Sequence, residues 1–189
     1  MEQVKDYEIN SCTLFLMPIT YGSKTYTKII EFDEEYLSPV KPLDIIKGNC
    51  NYYGVSYESR KKGTNLLIGY DRKIPIAIEP TNHLFFFPTT SPRRPECIWI
   101  GHEHIETYRR IGPHQTVLTF LQNKSYLFNV SYGTIETQHL RTALLKEKLL
   151  QRIESNKRKS FYLLHSSKSL QASESFGTYH EKDINIDEK

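Results

Sequence analysis

The polar and apolar positions of this chain change period twice. Near the N-terminus, residues 12–17 and 25–32 are short runs rich in Thr, Ile and aromatics, separated by the turn-forming Tyr21-Gly22-Ser23. They predict a β-hairpin. Pro42 then opens a stretch in which Ile46, Cys50, Tyr53 and Tyr57 recur at spacings of 4, 3 and 4, the signature of one helix face. Proline suits a first helical turn and Gly63 suits a stop. Gly48-Asn49 offers a point where the stretch can divide in two, with Asn49 then capping the second helix. From residue 65 to 130, Pro, Gly and Asn return about every eight to twelve residues between β-prone runs. These predict strands at 66–70, 74–78, 84–87, 97–100, 105–109, 116–121 and 125–130. The clearest helix follows over 134–159, with Thr134 as N-cap, Glu136 in the first turn, and Leu145, Leu149 and Ile153 along an apolar side.

This order of elements predicts an α+β fold, an antiparallel sheet or partly closed barrel with a central helical segment and a long C-terminal helix. Residues 1–159 read as one domain. Residues 160–189 read as a flexible, Ser-rich polar tail interrupted by the apolar Phe161-Tyr162-Leu163-Leu164.

Composition narrows the setting. The chain has 189 residues, enough for one domain with a sizeable core. Although 13 Tyr, 9 Phe and one Trp make it aromatic, no apolar run approaches the roughly 20 residues needed to cross a bilayer. The N-terminus lacks the basic region and apolar core of a signal peptide. Three unevenly spaced cysteines, Cys12, Cys50 and Cys97, give no paired disulfide framework. A soluble protein of the reducing cytoplasm is expected. The net charge of +3 is small, but its distribution is uneven. Acidic residues dominate the first 40 positions and the tail, so positive charge gathers between residues 41 and 159, as it does when one face meets phosphates.

Within that region Arg60-Lys61-Lys62 follows the aromatic stretch directly. One cation would satisfy a helix dipole; three in a row beside Tyr57 and Gly63 fit phosphate contact. Tyr52, Tyr53 and Tyr57 could stack on bases, but a helix face of that spacing fits burial better. Arg93 and Arg94 stand in the stiff loop Pro88-Thr89-Thr90-Ser91-Pro92-Arg93-Arg94-Pro95, and arginines on a rigid loop suit the narrow minor groove of A-tracts. Arg141, Lys148, Arg152 and Lys159, at spacings of 7, 4 and 7, form one helical stripe that could track a phosphate backbone or simply face water. Cys97, His102 and His104 invite a zinc reading, but no Cys-x-x-Cys or His-x-x-x-His pair supports it. His102, Glu103, His104 and Glu106 are the best acid and base set available, with no nucleophile elbow, phosphate loop or metalloprotease helix beside them. No enzyme activity, cofactor or metal is expected. The second class of function in play is an interaction module that works through its aromatic surface and apolar tail without touching DNA.

Taken together, Lys41-Pro42-Leu43, Cys50, Tyr53-Gly54, Ser56-Tyr57, Arg60-Lys61 and Gly63-Thr64 resemble the signature of the bacterial competence transcription factor (ComK) family. The likeness continues through Pro80, Asn82, Phe85, Phe87-Pro88-Thr89, Arg94-Pro95, Cys97, Trp99-Ile100, His102 and His104. It extends to Thr119-Phe120, Ser131-Tyr132, Glu136, Gln138, Arg141-Thr142-Ala143 and Gln151-Arg152-Ile153, spanning about residues 7–165. The resemblance implies a cytoplasmic transcriptional activator that binds paired A/T-rich boxes of double-stranded DNA, mainly through the minor groove, as a dimer or larger homo-oligomer. In the family an adaptor hands the activator to an ATP-dependent protease through a short apolar motif near the C-terminus. Phe161, Leu163 and Leu164 occupy the corresponding place, and the chain departs from that motif at Tyr162 and at His165, where the motif has proline.

Overall fold

The computed structural model describes residues 2–171. They divide into two compact units after Leu150. In the first, β2 (Thr13–Tyr21) and β3 (Lys24–Glu31) form the predicted hairpin, closed by Gly22-Ser23 with Gly22 at φ 61°. Two short strands that the hydrophobic pattern does not announce extend it. They are β4 (Glu35–Ser38), antiparallel to β3, and β1 (Glu2–Gln3), parallel to β4. On the other side of β2 lie β7 (Trp99–Gly101), β6 (Leu84–Pro88) and β5 (Ile76–Glu79). The order of this seven-stranded sheet is β1-β4-β3-β2-β7-β6-β5. A second, three-stranded sheet contains β8 (Ile105–Gly112), β9 (Gln115–Phe120) and β10 (Lys124–Phe128), all antiparallel. Both sheets are open, so the antiparallel-sheet expectation holds, and among the described residues no barrel closes.

The large sheet is buried on both faces, which explains runs such as Leu84-Phe85-Phe86-Phe87 that do not alternate. On one face Leu16, Ile29, Ile76, Ile78, Phe86 and Trp99 pack against Ile45, Ile46, Cys50 and Tyr57 of the helices. On the other, Phe15, Ile30, Phe87 and Ile100 meet Leu118, Phe120 and Phe128 of the small sheet and Ile135. A smaller cluster joins Ala77 and Phe85 to Leu145.

The helical stretch divides, but not at Gly48-Asn49. Helix α1 (Pro42–Tyr52) runs through both residues, and α2 (Tyr57–Ile68) begins after a turn in which Gly54 takes φ 76°. Ser56, not Asn49, caps α2, its hydroxyl accepting the Ser59 N–H at 3.2 Å. Asn49 has another occupation. Buried in α1, it accepts the Ile9 N–H at 2.8 Å and donates to the carbonyls of Tyr7 and Ile45, both at 2.9 Å. These tertiary bonds outweigh its preference for a cap. Gly63 does not end the helix either; α2 continues to Gly69, whose left-handed φ of 76° lets its N–H reach the Asn65 carbonyl at 2.8 Å. Residues 66–68, predicted as strand, are therefore helical. Helix α3 (Tyr132–Gln171) begins two residues before the expected cap, with Ser131 Oγ accepting the Thr134 N–H at 3.4 Å, and passes beyond Lys159. Of the predicted polar tail, residues 172–189 lie outside the described residues.

Candidate nucleic-acid interface

A helix turns about 100° per residue, so three consecutive cations cannot share one face. Arg60, Lys61 and Lys62 accordingly part company. Arg60 is half-buried with its Nε unpartnered, and its charge reaches Cys50 and Glu79. Burial would push the Glu79 carboxyl up, but hydrogen bonds from Thr81 and Asn82, with Arg60 nearby, bring it below the usual range. Lys62 is exposed. Lys61 alone of the three lines the main cleft, 3.7 Å from Glu58.

That cleft, about 680 Å³, lies between α2, the α2–β5 connection and the loop that leaves β6. Six cations line it: Lys47, Lys61, Arg72, Lys73, Arg93 and Arg94, against the carboxylates of Glu58 and Asp71. Tyr57 contributes a ring wall; burial pushes its phenol up, with Arg93 pulling the other way, so the hydroxyl is neutral at ordinary pH. A second cleft of about 290 Å³ shares Leu43, Pro92, Arg93 and Arg94 with the first and adds Lys41 and Asp44 at the start of α1. The Pro92-Arg93-Arg94-Pro95 segment therefore stands as a ridge with a basic cleft on each flank. Arg93 and Arg94 are exposed on it, and Arg94 pairs only loosely with Glu96, at 3.4 Å between exposed side chains. The base of the ridge is held by a turn from the Arg94 N–H to the Ser91 carbonyl at 2.9 Å and by Thr89, which bonds Ile98 through both backbone and hydroxyl.

The predicted helix stripe is used differently. Arg141 donates to the Arg72 carbonyl at 3.2 Å and lays its guanidinium 3.9 Å from the Tyr70 ring centroid. Lys148 donates to the Leu67 carbonyl at 2.8 Å, satisfying an end carbonyl of α2. Both bind backbone, Arg141 at the cleft-lining Arg72 and Lys148 near the end of α2. Arg152 belongs to the second unit, where it is exposed. In the same unit Phe161, Tyr162, Leu163 and Leu164 form one helical turn with every side chain more than half exposed. Of the tyrosines, Tyr57 is buried against Trp99, Tyr53 is half-buried and Tyr52 is exposed, so the predicted face exists although it is split between two helices.

Lys41, Lys47, Arg72 and Lys73 escape a reading of the sequence because each stands outside the Arg60-Lys61-Lys62 and Arg93-Arg94 runs, singly or as a pair. The Arg72-Lys73 pair, in a loop between a Gly-ended helix and a strand, is the available signal. Two of the singled-out histidines pack against rings: His102 stacks on His139 at 4.5 Å, and His104 meets Phe32 edge to face at 4.7 Å. Among the described residues no group of three His, Cys, Asp or Glu is placed to hold a metal ion.

A family model described as ComK protein matches residues 4–154, which contain both clefts and the ridge. The chain belongs to the ComK family. It is 36% identical over 162 residues to the competence transcription factor of Bacillus subtilis (strain 168), covering 85% of this chain and 84% of that protein. No solved structure matches it. No described helix is long and apolar enough to cross a membrane.

Proposed function

We propose that this ComK-family protein is a cytoplasmic, competence-type transcriptional activator that binds paired A/T-rich boxes through the DNA minor groove. The observation that carries this reading is the arginine ridge with a basic cleft on each side. A duplex presents its minor groove as a trough about 6 Å wide between two phosphate strands. With the ridge over the trough, Arg93 and Arg94 meet the strongly negative floor of an A-tract. One strand then runs along Lys47, Lys61, Arg72 and Lys73, and the other along Lys41 and the start of α1. Phosphate contacts set position and release counterions, whereas arginine in the groove senses its width. Because the minor groove distinguishes A·T from G·C and little more, selectivity for a pair of boxes calls for a homo-oligomer whose symmetry matches their spacing. Arg60, Lys62, Arg141 and Lys148 then belong to a weaker outer field. Phe161, Leu163 and Leu164, an exposed apolar turn, are the place where a protease adaptor would dock.

Two double substitutions test the assignment by gel shift on A/T-box and G/C-rich duplexes. Lys61→Ala with Lys73→Ala is expected to weaken binding to all sequences alike and to lower the slope of log K against log salt by about two. Arg93→Ala with Arg94→Ala is expected to erode the preference for A/T over G/C. If both doubles bind with unchanged slope and unchanged preference, the ridge and its clefts are not the DNA surface.

A further inference from the structure

The two arms of the basic cleft are distant in sequence and separately tethered. One arm, the Tyr70–Lys73 connection, supplies Arg72 and Lys73; the other, leaving β6 at Pro88, supplies Arg93 and Arg94. A buried side chain joins them. Gln138 on α3 is 1% exposed, and its Nε2 donates to the Lys73 carbonyl and to the Pro88 carbonyl, both at 2.8 Å. Its Oε1 has no hydrogen-bond partner. A buried amide with an empty acceptor costs stability that an apolar side chain of like size would not, so what this residue contributes is the bridge between the two carbonyls.

The first arm needs such a bridge. Lys73 holds φ at 49°, a left-handed conformation unfavourable for a side chain bearing a Cβ. Strain of that kind persists only where surrounding contacts fix it. Gln138 fixes the strained residue by its own carbonyl. Arg141, three residues further along the same helix, fixes the preceding carbonyl of Arg72 and covers Tyr70.

We infer that Gln138 is a positioning residue for DNA binding: it sets the separation between the Arg72–Lys73 arm and the Arg93–Arg94 ridge, and so the width of the phosphate track, with Arg141 as its auxiliary. This rests on the DNA reading above. A duplex has a fixed strand separation, and cations held at matching positions before binding lose less freedom on binding than cations on loose loops.

The test uses the full chain with Gln138→Met, which keeps size and removes both bonds, and Arg141→Lys, which keeps charge and removes the planar contact. Amide hydrogen exchange and gel shift on an A/T-box duplex are measured on each. In Gln138→Met, exchange over residues 70–75 and 89–96 is expected to quicken at least tenfold while the β2–β3 amides stay unchanged. Affinity is expected to fall at least tenfold, with a salt slope lower by about two although no charge was removed. In Arg141→Lys, exchange quickens over residues 70–73 only and affinity falls about threefold. Should Gln138→Met fail to fold, Gln138→Leu, which likewise removes both bonds, carries the same two readouts. Unchanged exchange in the arms overturns the bridge whether or not the protein binds DNA. Faster exchange with wild-type affinity and slope overturns the positioning role. A wild-type protein that fails to shift the duplex overturns the DNA reading and leaves the exchange result standing.

Discussion

His102 ties stability to pH in a direction opposite to that of a surface histidine with an acidic partner. Its ring lies beneath α3, stacked on His139, and neither ring nitrogen has a hydrogen-bond partner. Burial, with His139 and Lys146 adding to it and Glu103 opposing, holds the imidazole down at about 4, against an ordinary value of 6.5. The unfolded chain therefore takes up a proton as pH falls through 6.5, while the folded chain does so only near 4. Between those values the unfolded state binds more protons, so stability is complete above 6.5, declines on acidification, and loses no more from this group below 4. At pH 5 the loss is about 2 kcal/mol, since each pH step of one below 6.5 costs about 1.4 kcal/mol. His139, pushed down by burial as well, adds in the same direction. Urea unfolding followed by the fluorescence of the fully buried Trp99 measures this directly. Carboxylates also contribute to acid destabilisation, so the informative quantity is a difference. His102→Phe keeps an aromatic ring against His139 and cannot titrate. From pH 7.5 to pH 5 the wild type is expected to lose about 2 kcal/mol more than this variant. Equal losses would refute the claim that His102 is buried in its neutral form.

Two further substitutions probe how the scaffold is held. At Gly101→Ala the new Cβ would stand 3.0 Å from the Thr13 carbonyl oxygen and 3.1 Å from that of Leu14, both backbone atoms. Forcing β7 away from β2 is expected to cost about 1–3 kcal/mol in urea unfolding, and an unchanged midpoint would show that the strands separate freely. Asn49→Ala strips a partner from the Ile9 N–H and the Tyr7 carbonyl. A loss of about 2–3 kcal/mol is expected, with faster hydrogen exchange over residues 5–10; unaltered exchange there would dissociate Asn49 from the N-terminal segment.

Local pattern made the hairpin, the six strands from β5 to β10 and the existence of α3 legible, because each is a β-prone or helix-periodic run with its bounding turn residues within about ten positions. The errors arise where tertiary contacts override local preference. Asn49 reads as a cap and is instead a buried tie to residues 7–9; Gly63 reads as a stop, yet the helix runs on to Gly69, where the αL conformation is used. β1 and β4 are short and rich in polar residues, Glu2-Gln3 and Glu35-Tyr36-Leu37-Ser38, so no β-prone run marks them. At the site, Arg93 and Arg94 were legible because a proline-framed loop announces its own exposure. The stripe on α3 was not: helical periodicity places Arg141 and Lys148 on one side, but it does not say that the carbonyls of Arg72 and Leu67 lie within their reach. The opposite wall of the cleft, Lys47 and Arg72-Lys73, emerges only when α1, α2 and β5 are assembled.

Ion pairing separates cations that build the fold from those that remain available. Lys146 reaches Glu103 at 2.6 Å, Lys28 reaches Glu35 at 2.8 Å and Lys124 reaches Asp33 at 3.1 Å, each with a cation less than a third exposed. Around the clefts the corresponding pairs are longer and wetter: Arg94 to Glu96 at 3.4 Å, Lys47 to Asp44 at 3.6 Å and Lys61 to Glu58 at 3.7 Å, with every cation at least 40% exposed. Exposed pairs of this kind contribute about 0–1 kcal/mol and are readily exchanged for a stronger anion. Six cations gathered about two carboxylates also repel one another, a cost that packing elsewhere in the fold must offset. Glu35, Asp33 and Glu103 thus hold Lys28, Lys124 and Lys146 in tight pairs. The cations of the ridge and its clefts hold their partners loosely, and in the proposed function a phosphate strand replaces those partners without dismantling the fold.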